Sequence, residues 1–250
     1  YKNKNLIVLV DHNRAVDVAY HGRKHGCFTP KNIYLMGWWL RSSGSKRFQH
    51  KFKNGETFLL ENNLTAYNYG TQKFLGFNTS LLFPKITKKK YENYGLIWGK
   101  RPGDVYKYWS NFGHIISYLC KNGIKLYTVC EKPIEIDGVI NLGPLNKSEY
   151  SQLLSDAKFL LGVGDPRYGL AVIEALYYKT PIICGKRQLP PGYDKSPNCY
   201  TYGSMKVTRN KNMNVLLELL ENIKFEENDE IVKRDISVDE YNKRLEEIFK

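Results

Sequence analysis

The sequence predicts an α/β fold: a Rossmann-like parallel sheet preceded by an irregular, incomplete N-terminal portion. Three observations carry this. From Tyr94 onward, short apolar runs alternate with stretches of helical periodicity. Helices interleaved between such strands imply right-handed crossovers and a parallel sheet. Four of the strand ends carry a glycine, at Gly99, Gly143, Gly164 and Gly185, where the backbone can approach a ligand closely.

Residues 1–90 make up the first segment. Leu6 to Val10 is an apolar strand-like run, Ile33 to Leu40 a second that includes Trp38 and Trp39, and Gly55 to Leu60 a third. Loops rich in Gly, Ser, Lys and Asn separate them, and no topology follows. Residues 91–230 make up the sheet-bearing domain. Gly95 to Gly99 is its first strand. Asp104 to Leu119 places Val105, Tyr108, Trp109, Phe112, Ile115, Ile116 and Leu119 at near-3.6 spacing, an amphipathic helix with Pro102 before it and Gly123 after it. Ile124 to Cys130 and Val139 to Leu142 are strands. Asn146 opens a helix, with Glu149 completing a capping box. Lys158 to Gly164 is a strand, Leu170 to Tyr178 a helix and Pro181 to Gly185 a strand. Met213 to Ile223 is a Leu-rich helix. The last segment, 231–250, is a C-terminal helix running from Ser237, which caps it with Glu240 three residues on.

A net charge of +13 suits polyanionic or phosphorylated partners. The charge is dispersed, its longest pure run being Lys88-Lys89-Lys90, and no RNP, zinc-finger or basic-zipper pattern accompanies it, so a nucleic-acid partner is not expected. Without a CxxC pair among the five cysteines, a zinc or thioredoxin-type site is not expected either. Cys184, beside Ile182 and Ile183, reads as a buried thiol, while Cys27 and Cys199 sit in loop-like contexts where a pairing is open. Sequons at Asn63, Asn78 and Asn146 permit a secretory location. No apolar run is long enough for a membrane span, so a membrane is reached only through a segment absent from this chain. The start at Tyr1 reads as a fragment, or as a chain whose targeting segment lies upstream.

The stretch from Gly162 to Lys186 carries the most chemistry. A strand runs into a Gly-rich loop and then a helix, whose free N–H groups and positive end form a cradle for a diphosphate. In doubly wound sheets ligands sit at the carboxyl ends of the strands. Glu174, about one turn into the helix, is within reach of that cleft, and a carboxylate there can accept the hydroxyls of a ribose. The bland alternative is a solvated helix carboxylate.

The run Gly164-Asp165-Pro166-Arg167-Tyr168-Gly169 followed by Leu170 to Ala175 resembles the donor-site motif of GT-B glycosyltransferases. Its spacing is similar to that of glycosyltransferase family 18, N-acetylglucosaminyltransferase V. Three further segments resemble that family: Tyr69 to Phe77, Leu96 to Lys100 with Trp109 following, and Leu142 to Leu154. The resemblance implies the donor-binding half of a GT-B fold and an inverting, metal-independent transfer of N-acetylglucosamine from UDP-GlcNAc to a mannose of an N-glycan, in the Golgi lumen. It implies no cofactor beyond the UDP-sugar itself. Glu174 matches the family's ribose-binding Glu, and Gly164, Pro166 and Gly169 its loop. The sequence departs from the family at Tyr168, where the family has Glu, and at Asp165, where it has a bulky apolar residue. Either change can alter donor choice or abolish activity.

Without a metal, the departing UDP needs cations or N–H dipoles. Lys100 and Arg101 after the first strand, Arg167 in the loop and Lys186 after the fourth are the candidates. No Asp-x-Asp triplet supports a metal-bound diphosphate. An inverting transfer also needs a carboxylate or similar base. The sequence does not identify it; Asp11, His12 and Glu61 are candidates in 1–90. The competing readings are a nucleotide-sugar-binding chain without catalysis, a different GT-B enzyme, and a basic nucleic-acid-binding protein.

Overall fold

The computed structural model describes residues 6–10, 33–37, 57–60, 71–74, 76–77, 79–86, 93–98, 113–162, 170–190, 192–202 and 213–249. The chain divides into two compact units, one of Tyr1–Phe77 with Ser237–Lys250 and the other of Asn78–Ile236. The expected boundary near residue 90 therefore sits inside the second unit, and the C-terminal helix groups with the N-terminal segment.

The first unit holds four strands, β1 (Leu6–Val10), β2 (Ile33–Gly37), β3 (Thr57–Leu60) and β4 (Thr71–Phe74), paired in parallel in that order. Where the sequence showed strand-like runs without a topology, the structure makes a regular parallel sheet. The intervening stretches 11–32, 38–56 and 61–70 have the length that parallel crossovers require, roughly ten residues or more. Strand β4 lies within the Tyr69 to Phe77 segment.

The second unit opens with a short helix, α1 (Thr79–Leu82), and carries six strands: β5 (Tyr94–Trp98), β6 (Lys125–Thr128), β7 (Val139–Asn141), β8 (Phe159–Gly162), β9 (Ile182–Cys184) and β10 (Cys199–Thr201). All pairings are parallel, and the strand order is β10-β9-β8-β5-β6-β7. Chain progression thus reverses between β5 and β8, the doubly wound order whose switch point opens a crevice at the strands' carboxyl ends. The helices are α2 at 113–121, α3 (Lys147–Asp156), α4 (Leu170–Tyr177), α5 (Met213–Asn222) and α6 (Glu230–Ile236). Beyond Ser237, α7 (Val238–Phe249) belongs to the first unit, and Glu240 N–H donates to Ser237 Oγ at 3.4 Å, the expected cap. None of the described helices is long and apolar enough to cross a membrane.

The strands β8 and β9 are buried at every position, as sheet interiors covered on both faces must be. One face packs Ile97, Phe159, Leu161 and Ile183 against Ile115, Ile116 and Leu119 of α2 and Leu216 and Leu220 of α5. Their neighbours Leu96, Leu160 and Ile182 alternate to the opposite face and are fully buried there. Two glycines are set by packing. A Cβ on Gly95 would lie 2.3 Å from the Phe159 ring, and one on Gly162 would lie 2.6 Å from Cys184 Cβ. The predicted stop after α2 is present: Gly123 is left-handed at φ +79° and its N–H donates to Cys120 O. Of the predicted helix Asp104 to Leu119, the portion before residue 113 lies outside the described residues.

Candidate functional site

The switch point lies between Trp98, at the carboxyl end of β5, and Gly162, at the carboxyl end of β8. Helices α3 and α4 follow β7 and β8 and begin at this same edge of the sheet, and they pack against each other. The sequence starts α3 with the capping box it promised: Glu149 N–H donates to Asn146 Oδ1 and Asn146 N–H to Glu149 Oε2, both at 3.0 Å. That cap fixes where Lys147 and Ser151 stand, four residues apart on one face.

Glu174, on the second turn of α4, faces them. It is 3% exposed. Lys147 Nζ donates to both Glu174 oxygens at 2.7 Å, and Ser151 Oγ donates to Oε1 at 2.7 Å. A carboxylate this buried needs compensating donors, and these two side chains supply them. The solvated helix carboxylate is therefore excluded. Lys147 is itself half exposed, and its ammonium lies 5.1 Å from the centre of the Phe83 ring and 5.9 Å from that of Tyr150. Phe83 in turn packs on Tyr177 and Tyr178, with ring centres 5.5 and 6.3 Å away.

Burial raises two of the phenols near this pair. Desolvation pushes Tyr150 up, and the charge of Glu174 adds to it. Tyr178 is pushed up to about 12, first by burial, with the Ser151 hydroxyl pulling the other way and Glu174 adding a smaller push. Its hydroxyl donates to Pro84 O at 2.6 Å, and Thr180 Oγ1 donates to Leu154 O at 2.8 Å, tying the end of α4 to α3.

At the neighbouring strand end, Gly185 N–H donates to Gln188 Oε1 at 2.8 Å, shaping the turn that follows β9. Lys186, the candidate after the fourth strand, is paired with Asp194 at 2.5 Å, with its side chain 73% exposed. The hydrogen bond from Lys186 holds the Asp194 carboxyl below its ordinary range. Lys186 is thus an exposed cation with its own acid partner. Cys184 is buried as expected. Cys27 lies outside the described residues, and Cys199 is also a buried free thiol. Burial raises both thiols, Cys199 to about 12.

Of the sequence-derived donor-site residues, Glu174 and Lys186 are described. Gly164, Pro166, Arg167, Tyr168, Gly169, Lys100 and Arg101 lie outside the described residues, as do Asp11, His12, Glu61, Gly99 and Cys27. Gly143, the fourth glycine at a strand end, adopts φ +74° in the loop between β7 and α3. Lys147 and Ser151 were missed as site residues. The available signal was their i, i+4 spacing on a helix whose cap places it at the ligand edge of the sheet. Among the described residues no group of three or more His, Cys, Asp or Glu side chains could hold a metal ion.

No protein-family model matches the sequence, and no curated protein matches it. Solved structures do match. A UDP-GlcNAc 2-epimerase from Methanocaldococcus jannaschii, in complex with UDP-GlcNAc and UDP, is 12% identical with a TM-score of 0.58, covering 95% of this chain and 80% of its own. A Staphylococcus aureus TarM mutant, in complex with Fondaparinux, alpha-GlcNAc-glycerol and UDP, is 15% identical with a TM-score of 0.60, covering 98% of this chain and 55% of its own. A UDP-N-acetylglucosamine 2-epimerase described as putative, from Listeria monocytogenes, is 9% identical with a TM-score of 0.57, covering 87% of this chain and 66% of its own. This chain therefore spans about half the length of the TarM structure. Identities this low establish the fold and no more: the chain has a Rossmann-like α/β architecture in common with these structures.

Proposed function

We propose that this chain binds a nucleotide sugar at the carboxyl edge of the β5–β8 switch point and supports glycosyl transfer from it. The observation that carries the reading is a buried carboxylate, Glu174, on the second turn of the helix that follows β8. Such a position suits recognition of a ribose, and the helix's amide end suits the diphosphate. The loop residues Gly164, Pro166, Arg167, Tyr168 and Gly169, with Lys100 and Arg101, complete the proposed donor site. The complexes of the structural neighbours with UDP and UDP-GlcNAc support the choice of nucleotide. The four segments similar to family 18 support the finer reading. On that reading the donor is UDP-GlcNAc, the acceptor is a mannose of an N-glycan, the transfer is inverting and needs no metal, and the setting is the Golgi lumen.

A second reading is donor binding without transfer. What favours it is Tyr168 and Asp165 at positions where the family has other residues.

Calorimetric titration with UDP, UDP-GlcNAc and GDP tests the site. UDP is expected to bind with an affinity of about micromolar to millimolar, ahead of GDP. The two charge-assisted hydrogen bonds of a ribose diol are worth about 1.5–3 kcal/mol each. Less the Lys147 contact they replace, their loss in Glu174→Ala should weaken UDP at least about tenfold, or ~1.4 kcal/mol. A folded sample that binds no UDP would end the proposal. Incubation with UDP-GlcNAc and a mannose-terminated glycan separates the two readings: transfer releases UDP and extends the glycan, whereas binding alone leaves both intact.

A further inference from the structure

In the structure both oxygens of Glu174 are held by one ammonium, that of Lys147. A ribose cis-diol that engages this carboxylate would offer two O–H donors to the same two oxygens. The two occupants compete. Ser151 is placed differently: its hydroxyl reaches Oε1 from inside, at a fully buried position, and can stay while the other donor changes.

The cost of the change falls on charge. A buried carboxylate and its cation form a pair, and removing one partner leaves the other uncompensated. Lys147 is half exposed on a flexible stem, so it can swing away while Glu174 cannot. Swung out, the ammonium gives up its anion and its seat over the Phe83 ring. A neutral nucleoside brings no charge to replace that anion. A nucleoside diphosphate does.

We infer that Lys147 is a specificity-determining residue: it occupies the diol position of Glu174 until a phosphorylated nucleoside arrives, and then passes to the phosphate as the ribose hydroxyls take its place on the carboxylate. No bond is made or broken beyond hydrogen bonds, and the charges balance, because one ammonium–carboxylate contact becomes one ammonium–phosphate contact. The inference rests on the donor-site reading above. It adds that diol recognition and phosphate recognition are coupled through one side chain, so that uridine alone is disfavoured.

The test is titration of the full chain with uridine, UDP and inorganic pyrophosphate, for the unaltered protein, Lys147→Met and Glu174→Gln. Met keeps the aliphatic stem and removes the competitor. In Lys147→Met, uridine should bind at least about fivefold more tightly, and the preference for UDP over uridine should fall at least about tenfold. In Glu174→Gln, the freed ammonium should tighten pyrophosphate about fivefold or more while uridine binding is lost. Uridine affinity that is unchanged or lower in Lys147→Met overturns the exchange, since a merely structural lysine would weaken all ligands together. If Lys147→Met does not fold, the pyrophosphate arm of Glu174→Gln decides alone, and unchanged affinity there overturns the exchange. Absence of UDP binding by the unaltered protein overturns both the donor-site reading and the exchange. UDP binding without these shifts overturns the exchange alone.

Discussion

The Lys147–Glu174 contact predicts an asymmetric stability cycle. Lys147→Met leaves the carboxylate of Glu174, 3% exposed, with the Ser151 hydroxyl as its remaining side-chain donor among the described residues. Breaking a fully buried pair in this way costs about 3–5 kcal/mol, and the half exposure of Lys147 brings the expectation down to about 2 kcal/mol. Glu174→Gln removes the charge instead. Its amide oxygen still accepts from Ser151, and the released ammonium can hydrate, so the cost should be about 1 kcal/mol or less. The double variant restores neutrality around Ser151 and should lose no more than about 1 kcal/mol, giving a coupling of about 1–2 kcal/mol between the sites. Urea unfolding followed by far-UV circular dichroism measures all four proteins, with the midpoint compared at constant slope. The reasoning fails if Lys147→Met costs no more than Glu174→Gln, or if the two effects simply add. Either result would mean that the contact seen between α3 and α4 does not carry the charge.

Two further outcomes follow from the packing of the same unit. Gly162→Ala places a Cβ 2.6 Å from Cys184 Cβ and 3.3 Å from Trp98 Cε3, and the overpacked strand end should cost about 1–3 kcal/mol in urea unfolding. Cys130, Cys184 and Cys199 are buried, and Cys199 is raised to about 12, so at pH 8 its thiolate fraction is on the order of 10⁻⁴. Maleimide labelling read by peptide mass mapping should modify these three only in denaturant, and rapid modification of Cys184 or Cys199 in the folded protein would contradict the burial.

What was legible in the sequence was local. The Asn146–Glu149 box announces its helix because both partners lie within one turn, and the structure shows both hydrogen bonds. Gly123 announces the end of α2 because only a left-handed residue closes that turn cheaply. The strands β8 and β9 are readable as continuous apolar runs because both their faces are covered. Strand β10 was missed. Its three residues follow a stretch of turns and have no periodicity of their own, and it is a strand because Cys199, Tyr200 and Thr201 register with Ile182, Ile183 and Cys184. The cap of α6 was overlooked although its signal is local: Asp229 Oδ1 accepts from Ile231 and Val232 N–H.

The place of Glu174 in the fold was legible, and what it touches was not. The strand–loop–helix pattern put Glu174 near the ligand edge, and the parallel order with its reversal at β5 and β8 gives that edge a physical basis. That Glu174 is already occupied follows from Lys147, 27 residues away in sequence. No periodicity spans that distance. The sequence made Lys186 a candidate cation for the diphosphate; folding turns the chain after β9 through Lys186–Gln188 and Tyr193–Lys195 and brings Asp194 to it.

The contact that fills the site also holds its two walls. Helices α3 and α4 meet through Lys147 and Ser151 on one side and Glu174 on the other, with Thr180 bonded to Leu154 O further along. A ligand that displaces Lys147 therefore does not open the helix pair, because Ser151 and Thr180 keep their bonds. What changes is the sign of the exposed surface. With Lys147 on Glu174 the edge offers a neutral pair; on the proposed exchange, with a diol on Glu174, it offers an unpaired ammonium. A negative ligand strengthens both attractions at once, and a neutral one satisfies the carboxylate at the expense of the lysine. Burying the carboxylate thus does more than stabilise the fold. On the proposed exchange, the charge of the incoming molecule decides whether the carboxylate becomes available.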